Sequence, residues 1–116
     1  MAIGDMTPKE WLQKSLTTLT IDSTISGAVG VRKYITSITL NLQTGGTLGR
    51  TITIYKNGTS TSNEILKLYL NPANGVAYTI MNGLSFFLEN GQSMSFKQDI
   101  GTDVVILVNG IEENLV

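Results

Sequence analysis

Five Asn-Gly dipeptides punctuate this chain, at Asn57-Gly58, Asn74-Gly75, Asn82-Gly83, Asn90-Gly91 and Asn109-Gly110. Both residue types tolerate positive φ, which tight hairpin turns require. Between the dipeptides the apolar residues alternate with polar ones. Tyr34, Thr36, Ile38, Leu40 and Leu42 fall on one face of an extended segment, with Lys33, Ser37, Thr39 and Asn41 on the other. Ile52 and Ile54 repeat the pattern, then Leu66, Leu68 and Leu70, then Val76, Tyr78 and Ile80. Leu84 to Leu88 and the pair Met94 and Phe96 follow. Period two with a turn signal about every eight residues predicts an antiparallel all-β fold, a sandwich of the jelly-roll or Ig-like kind. Asn109-Gly110 departs from the pattern. Ile111 follows it at once, so it reads either as a turn or as a bulge inside the last strand.

A chain of 116 residues is the size of one domain and holds one core. The sequence divides into an N-terminal arm over 1–20 and a β-sandwich domain over 21–116. In the arm, Thr7-Pro8-Lys9-Glu10 has the form of a helix start, with a capping threonine, proline at the first helical position and glutamate three residues after the cap. Trp11, Leu12 and Leu16 then share a helical face, and the spacing predicts a short helix of about two turns. Such a helix is marginal alone in water and must lie on something, its own sheet or a neighbour. Trp11, the sole tryptophan, reads either as a satellite core residue or as a docking anchor.

Charged residues make up only 15 % of the chain and the net charge is -1. Soluble domains carry roughly 25 % charged residues. A surface so poor in charge is either dressed in Ser, Thr and Asn or covered in an assembly, and near-zero net charge favours association. The run Val104 to Val108 is apolar on both faces. One face of such a strand fills a core, and the other calls for cover.

The chain contains no histidine and no cysteine. That removes the usual general base near neutral pH, the commonest metal ligand, the thiolate nucleophile and any disulfide frame. The acid pairs Glu112 with Glu113 and Asp99 with Asp103 offer no sign of a cleft flanked by two carboxylates. Asp99 to Asp103 could wrap a calcium ion but lacks the alternating acids of a dedicated loop, so it reads as a turn. Thr44 to Arg50 is rich in glycine without the ending of a phosphate loop. Neither charge sign forms the stripe a nucleic acid would need. MAIGDMTPKEW, with Asp5 early and no basic patch before an apolar run, is not expected to be a secretory signal. No apolar run is long enough to cross a bilayer as a helix. Tyr55, Tyr69 and Phe87 lie opposite the expected inward positions and would make a sugar-binding platform if they aligned.

Four segments, taken in order, resemble small β-sandwich structural proteins of tailed bacteriophage virions, capsid decoration and auxiliary proteins among them. They are Lys33 to Leu40, the threonine-rich strand Arg50 to Tyr55, Leu84 to Phe96 with its Asn90-Gly91 loop, and the closing Val104 to Glu112 with its Gly-aliphatic-Glu end. The likeness spans residues 31–113 and is one of pattern. It implies a non-enzymatic protein of the virion, made in the host cytoplasm and needing no cofactor. Its partners would be copies of itself, with a trimer as one expected order, and a major capsid or other virion protein. A neck or tail component and a carbohydrate- or receptor-binding module are the alternatives. Met6, Trp11, Leu12 and Leu16 are expected to dock, and Val105 and Leu107 to form the subunit contact.

Overall fold

The structure, a computed structural model, describes residues 2–43, 49–71 and 77–116. Most of the glycine loop Thr44 to Arg50, the Asn74-Gly75 turn and the expected inward position Val76 lie outside the described residues. Nine strands are present among those described: β1 (Met6–Ser15), β2 (Thr24–Ser26), β3 (Val31–Leu42), β4 (Arg50–Lys56), β5 (Glu64–Leu70), β6 (Ala77–Met81), β7 (Phe87–Leu88), β8 (Ser93–Gln98) and β9 (Val104–Asn114). They form two antiparallel sheets. One runs β1-β9-β3-β6, with β7 also pairing to β3, and the other runs β2-β8-β4-β5. The protein is all-β, and its two sheets share one core, as in a β-sandwich.

That core is built from alternate residues of both sheets. Ile38, Leu40 and Leu42 on β3 and Val104, Ile106 and Val108 on β9 meet Ile52 and Ile54 on β4 and Met94 and Phe96 on β8. Leu88 and Leu16 are sealed with them. Burying side chains of this size contributes about 1.5–3 kcal/mol each, the main favourable term for a fold so poor in charge.

The N-terminal helix is not there. Met6–Ser15 is a strand, paired with β9 from Met6 opposite Glu113 to Ser15 opposite Val105. A two-turn helix gains little by itself, whereas this segment finds a long strand to pair with. Pro8 is tolerated because β1 is an edge strand and can spare a donor. The helix-like spacing of Trp11, Leu12 and Leu16 comes from a bulge. Glu10 faces Asn109 and Leu12 faces Val108, so Trp11 is an extra residue. Trp11 and Leu12 therefore both pack against the core, and Leu16, two positions beyond Lys14, returns to it.

A second bulge corrects the reading of β3. Ile35 faces Gly110 and Ser37 faces Asn109, leaving Thr36 with no register partner on β9. The side-chain phase flips there. Ile35 points into the core, and Tyr34 lies on the outer face beside Phe87. Both bulges adjoin Asn109, the first opposite Val108–Asn109 and the second opposite Asn109-Gly110, and this dipeptide sits inside β9 and makes no turn. Of the other Asn-Gly pairs described, each has glycine at positive φ, with Asn57 at φ 61° as well. The expected strand over Leu84 to Leu88 is reduced to Phe87–Leu88.

Candidate interaction surfaces

The Trp11 indole Nε1 donates to the Tyr34 carbonyl oxygen at 2.8 Å, reaching from β1 over β9 to β3. It crosses at Gly110, where a side chain would collide with the indole and with Tyr34 backbone. The Thr36 bulge adjoins the Tyr34 carbonyl that accepts this bond. Lys33 Nζ stands 5.1 Å from the ring centroid on the same side. The first segment is thus fastened to its own sheet, and Trp11 is engaged within the chain. Leu12 is half-buried against the core, and Leu16 is wholly enclosed and offers no surface. Met6 alone of the expected docking residues is exposed, at the edge of the sheet.

Val105 and Leu107 occupy the outer face of the β1-β9-β3-β6 sheet, half-buried. Register places Ser15, Val105, Asn41 and Ala77 in one row across the four strands, and Gln13, Leu107, Thr39 and Thr79 in the next. Neither row holds a charge. Toward the other end of the face, Ile111, Tyr34 and Phe87 lie in a row with Pro8. Beyond them the charges gather. Arg32 reaches Glu89 at 3.3 Å and Glu113 at 3.6 Å, and lies 4.8 Å over the Phe87 ring. Tyr34 Oη donates to Glu113 at 2.8 Å. These contacts clamp the ends of β3, β9 and β7 together. Between them and the Leu107 row, Glu10, Asn109, Ser37 and Met81 form a row whose one charge is Glu10, exposed on the β1 edge.

The three aromatic rings weighed for sugar binding do not come together. Tyr55 is 3 % exposed, with Lys97 over its ring, while Tyr69 is 65 % exposed. Phe87 belongs to the other sheet. The acids of the Asp99 to Asp103 loop are occupied by the chain itself. Asp103 Oδ1 accepts from Arg50 Nε at 3.0 Å and from Gln98 Nε2 at 2.9 Å. Asp99 Oδ1 accepts the Thr51 and Ile100 amides. Gln98 is fully buried, and its Oε1 accepts the Val104 amide. This group closes one end of the core. Burial alone would raise the Asp103 carboxyl, but the hydrogen bonds from Arg50 and Gln98 outweigh it and hold the group below the ordinary carboxylate range. Among the described residues no group of three acids is placed to hold a metal ion.

A further feature had no clear signal in the sequence. β5 and β6 are the edge strands of the two sheets. An apolar cleft of about 60 Å³ is lined by both of them, with Ile65 and Leu66 on β5, Ile80 on β6, and Phe86 beside them. Ile65, Leu66, Tyr69, Tyr78 and Met81 are all exposed on these two strands. Leu66 and Tyr78, expected inward, do pair with the inward Ile54 and Leu40, but they are exposed because β5 and β6 are edges, which alternation does not encode. No protein-family model and no curated protein matches the chain.

Proposed function

We propose that this chain is a non-enzymatic virion structural protein, a capsid decoration or auxiliary subunit with a jelly-roll fold. It would bind copies of itself and a major capsid or other virion protein, and reside in the particle after synthesis in the host cytoplasm. The observation that carries the reading is the uncharged end of the outer face of the β1-β9-β3-β6 sheet, where Val105 and Leu107 have uncharged neighbours in both of their rows. The neighbours Ser15, Gln13, Thr39, Asn41 and Thr79 are polar but uncharged, so nothing on this part of the face repels a second subunit. Apart from Glu10 on the β1 edge, the charges stand toward the other end, with Arg32 paired to Glu89 and Glu113.

The strand order supports the jelly roll. In each sheet an early strand, β1 or β2, lies beside one of the last, β9 or β8, and the middle strands complete the sheet. Two interlocked Greek keys produce this interleaving, and viral capsid and lectin domains both use it. Fold alone does not choose between them. The sugar-binding alternative needs aligned rings, and with Tyr55 buried it retains Tyr69 as an isolated one. Assembly through a neutral face works by repetition, with each contact weak and many copies acting together.

The test is the solution mass over a range of concentrations, by light scattering behind a sizing column, for the unsubstituted chain and for Leu107→Lys. A mass above one 12.5 kDa chain that falls for Leu107→Lys, with unchanged circular dichroism, supports assembly through this face. An oligomer indifferent to the lysine rules out this face as its contact.

A further inference from the structure

Every open-sheet protein must protect its edge strands, because an unpaired row of amides and carbonyls recruits any passing strand. This fold has four edges. β1 carries Pro8, Lys9, Glu10 and Lys14. β2 is three residues long. β5 carries Glu64 and Lys67, and Ile65 is bulged out of its ladder. These are the usual guards. β6 has none of them. Ala77-Tyr78-Thr79-Ile80-Met81 holds no charge and no proline, and its register with β3 runs without a shift. Among the described residues no strand pairs with its outer side.

The ladder shows which backbone groups that side presents. The Asn82 amide donates to the Thr36 carbonyl at 2.9 Å. In an antiparallel strand alternate residues turn both N–H and C=O the same way. Asn82, Ile80 and Tyr78 therefore bond to β3, and Met81, Thr79 and Ala77 present theirs outward. The three outward positions are symmetric about Thr79.

We propose that β6 pairs antiparallel with β6 of a second copy, across a two-fold axis at Thr79. The proposal rests on the reading of this chain as an assembly subunit and names a second contact between copies, separate from the Leu107 face. Thr79 would exchange both backbone bonds with the copy's Thr79, and Ala77 with the copy's Met81, giving about six new hydrogen bonds. On the inner side Tyr78 falls opposite the copy's Ile80, an aromatic–β-branched pair of the kind that stabilises sheets. No charge opposes another, because β6 has none. A two-fold contact of this sort is isologous and closes on itself. It also brings two apolar clefts together, each lined by Ile65, Leu66 and Ile80. That accounts for exposed apolar residues on both β5 and β6.

Three substitutions at one exposed position test this. The Thr79 amide faces away from β3, so Thr79→Pro removes an outward donor while leaving the β3–β6 ladder its own bonds. Thr79→Lys sets two like charges across the axis. Thr79→Cys introduces the chain's sole thiol. Paired Thr79 residues would have Cα atoms about 5.5 Å apart, within disulfide range. The expected results are an unsubstituted mass at an even multiple of 12.5 kDa and at least a tenfold weaker dimer for Thr79→Pro and Thr79→Lys, both with unchanged circular dichroism. Thr79→Cys should form a dimer under mild oxidation that reducing agent dissolves. If neither Thr79→Lys nor Thr79→Pro lowers the mass and Thr79→Cys fails to cross-link, while Leu107→Lys does lower it, the edge pairing is wrong and the assembly reading stands. A 12.5 kDa mass at every concentration overturns the edge pairing and self-association together.

Discussion

Gly110→Ala should be among the most damaging single-methyl additions this fold can suffer. A Cβ at that position would overlap the Tyr34 carbonyl oxygen and the Trp11 indole nitrogen, and would lie 2.9 Å from the Tyr34 carbonyl carbon. Ordinary contact begins near 3.4 Å. The obstacle on one side is backbone, held in a central ladder between β9 and β3, so it cannot swing aside as a side-chain tip would. Overpacking a tight interior site costs about 1–3 kcal/mol, and here the upper end applies. The Trp11–Tyr34 hydrogen bond must also lengthen or break, at about 1 kcal/mol. The total is about 4 kcal/mol.

At about 2.1 cal/mol/K per residue, a chain of 116 residues unfolds with an entropy near 0.24 kcal/mol/K, so each kcal/mol moves the midpoint by about 4 °C. Gly110→Ala should lower Tm by about 16 °C. Calorimetry, with urea unfolding at 25 °C as a second measure, reads this directly. A drop under about 4 °C would mean that β1 and β3 are free to shift around β9, and that the crossing of Trp11 over Gly110 does not constrain the sheet.

Trp11→Phe keeps most of the ring's packing but leaves the Tyr34 carbonyl without its 2.8 Å donor. It should cost about 1–3 kcal/mol in urea unfolding, and no loss would mean that the carbonyl finds another partner. Asp103 supplies a pH prediction. Its carboxyl is held below the ordinary range in the folded chain, so its contribution is fully present above the unfolded value of about 3.9 and is lost as pH falls through the folded value. Asp103→Asn should therefore be destabilising at pH 6, and its deficit against the unsubstituted chain should shrink toward pH 2.5. A deficit equal at both values would refute the ionic bracket with Arg50.

Much of the architecture was legible because strand alternation and turn chemistry are local. Ile38, Leu40, Leu42, Ile52, Ile54, Met94 and Phe96 could be assigned inward by counting in twos, and each is buried. Counting in twos fails at a bulge, as on β1 and β3, and it overstates burial on edge strands, where Leu66 and Tyr78 are exposed. Trp11 next to Leu12 imitates a helical face, and Thr36 reverses the phase between Tyr34 and Ile38. One sequence signal did mark the spot. Asn109-Gly110 interrupts an apolar run between Val108 and Ile111, and the glycine makes room for what crosses it. Strand order is non-local. Nothing near Met6 announces that its partner is Glu113, and nothing near Ala77 announces that one side of β6 is left open.

The same strand that organises the core also sets the character of the surface. β9 lies between β1 and β3, so its inward residues are fully buried and its outward ones stand in the middle of a four-strand face. A charge at Val105 or Leu107 would be flanked by Ser15, Gln13, Thr39 and Asn41, none of which can pair with it. The face can stay uncharged at little cost to the isolated fold, because the long-range ties run elsewhere: the Trp11 ring packs against the core, and the Arg32 clamp and the Arg50–Gln98–Asp103 bracket lie toward the ends of the sheets. Stability and association thus draw on different residues. On the proposed assembly, substitutions at Leu107 and Thr79 should lower the solution mass while the chain stays folded, whereas those at Gly110 and Trp11 should do so only by first loosening the fold.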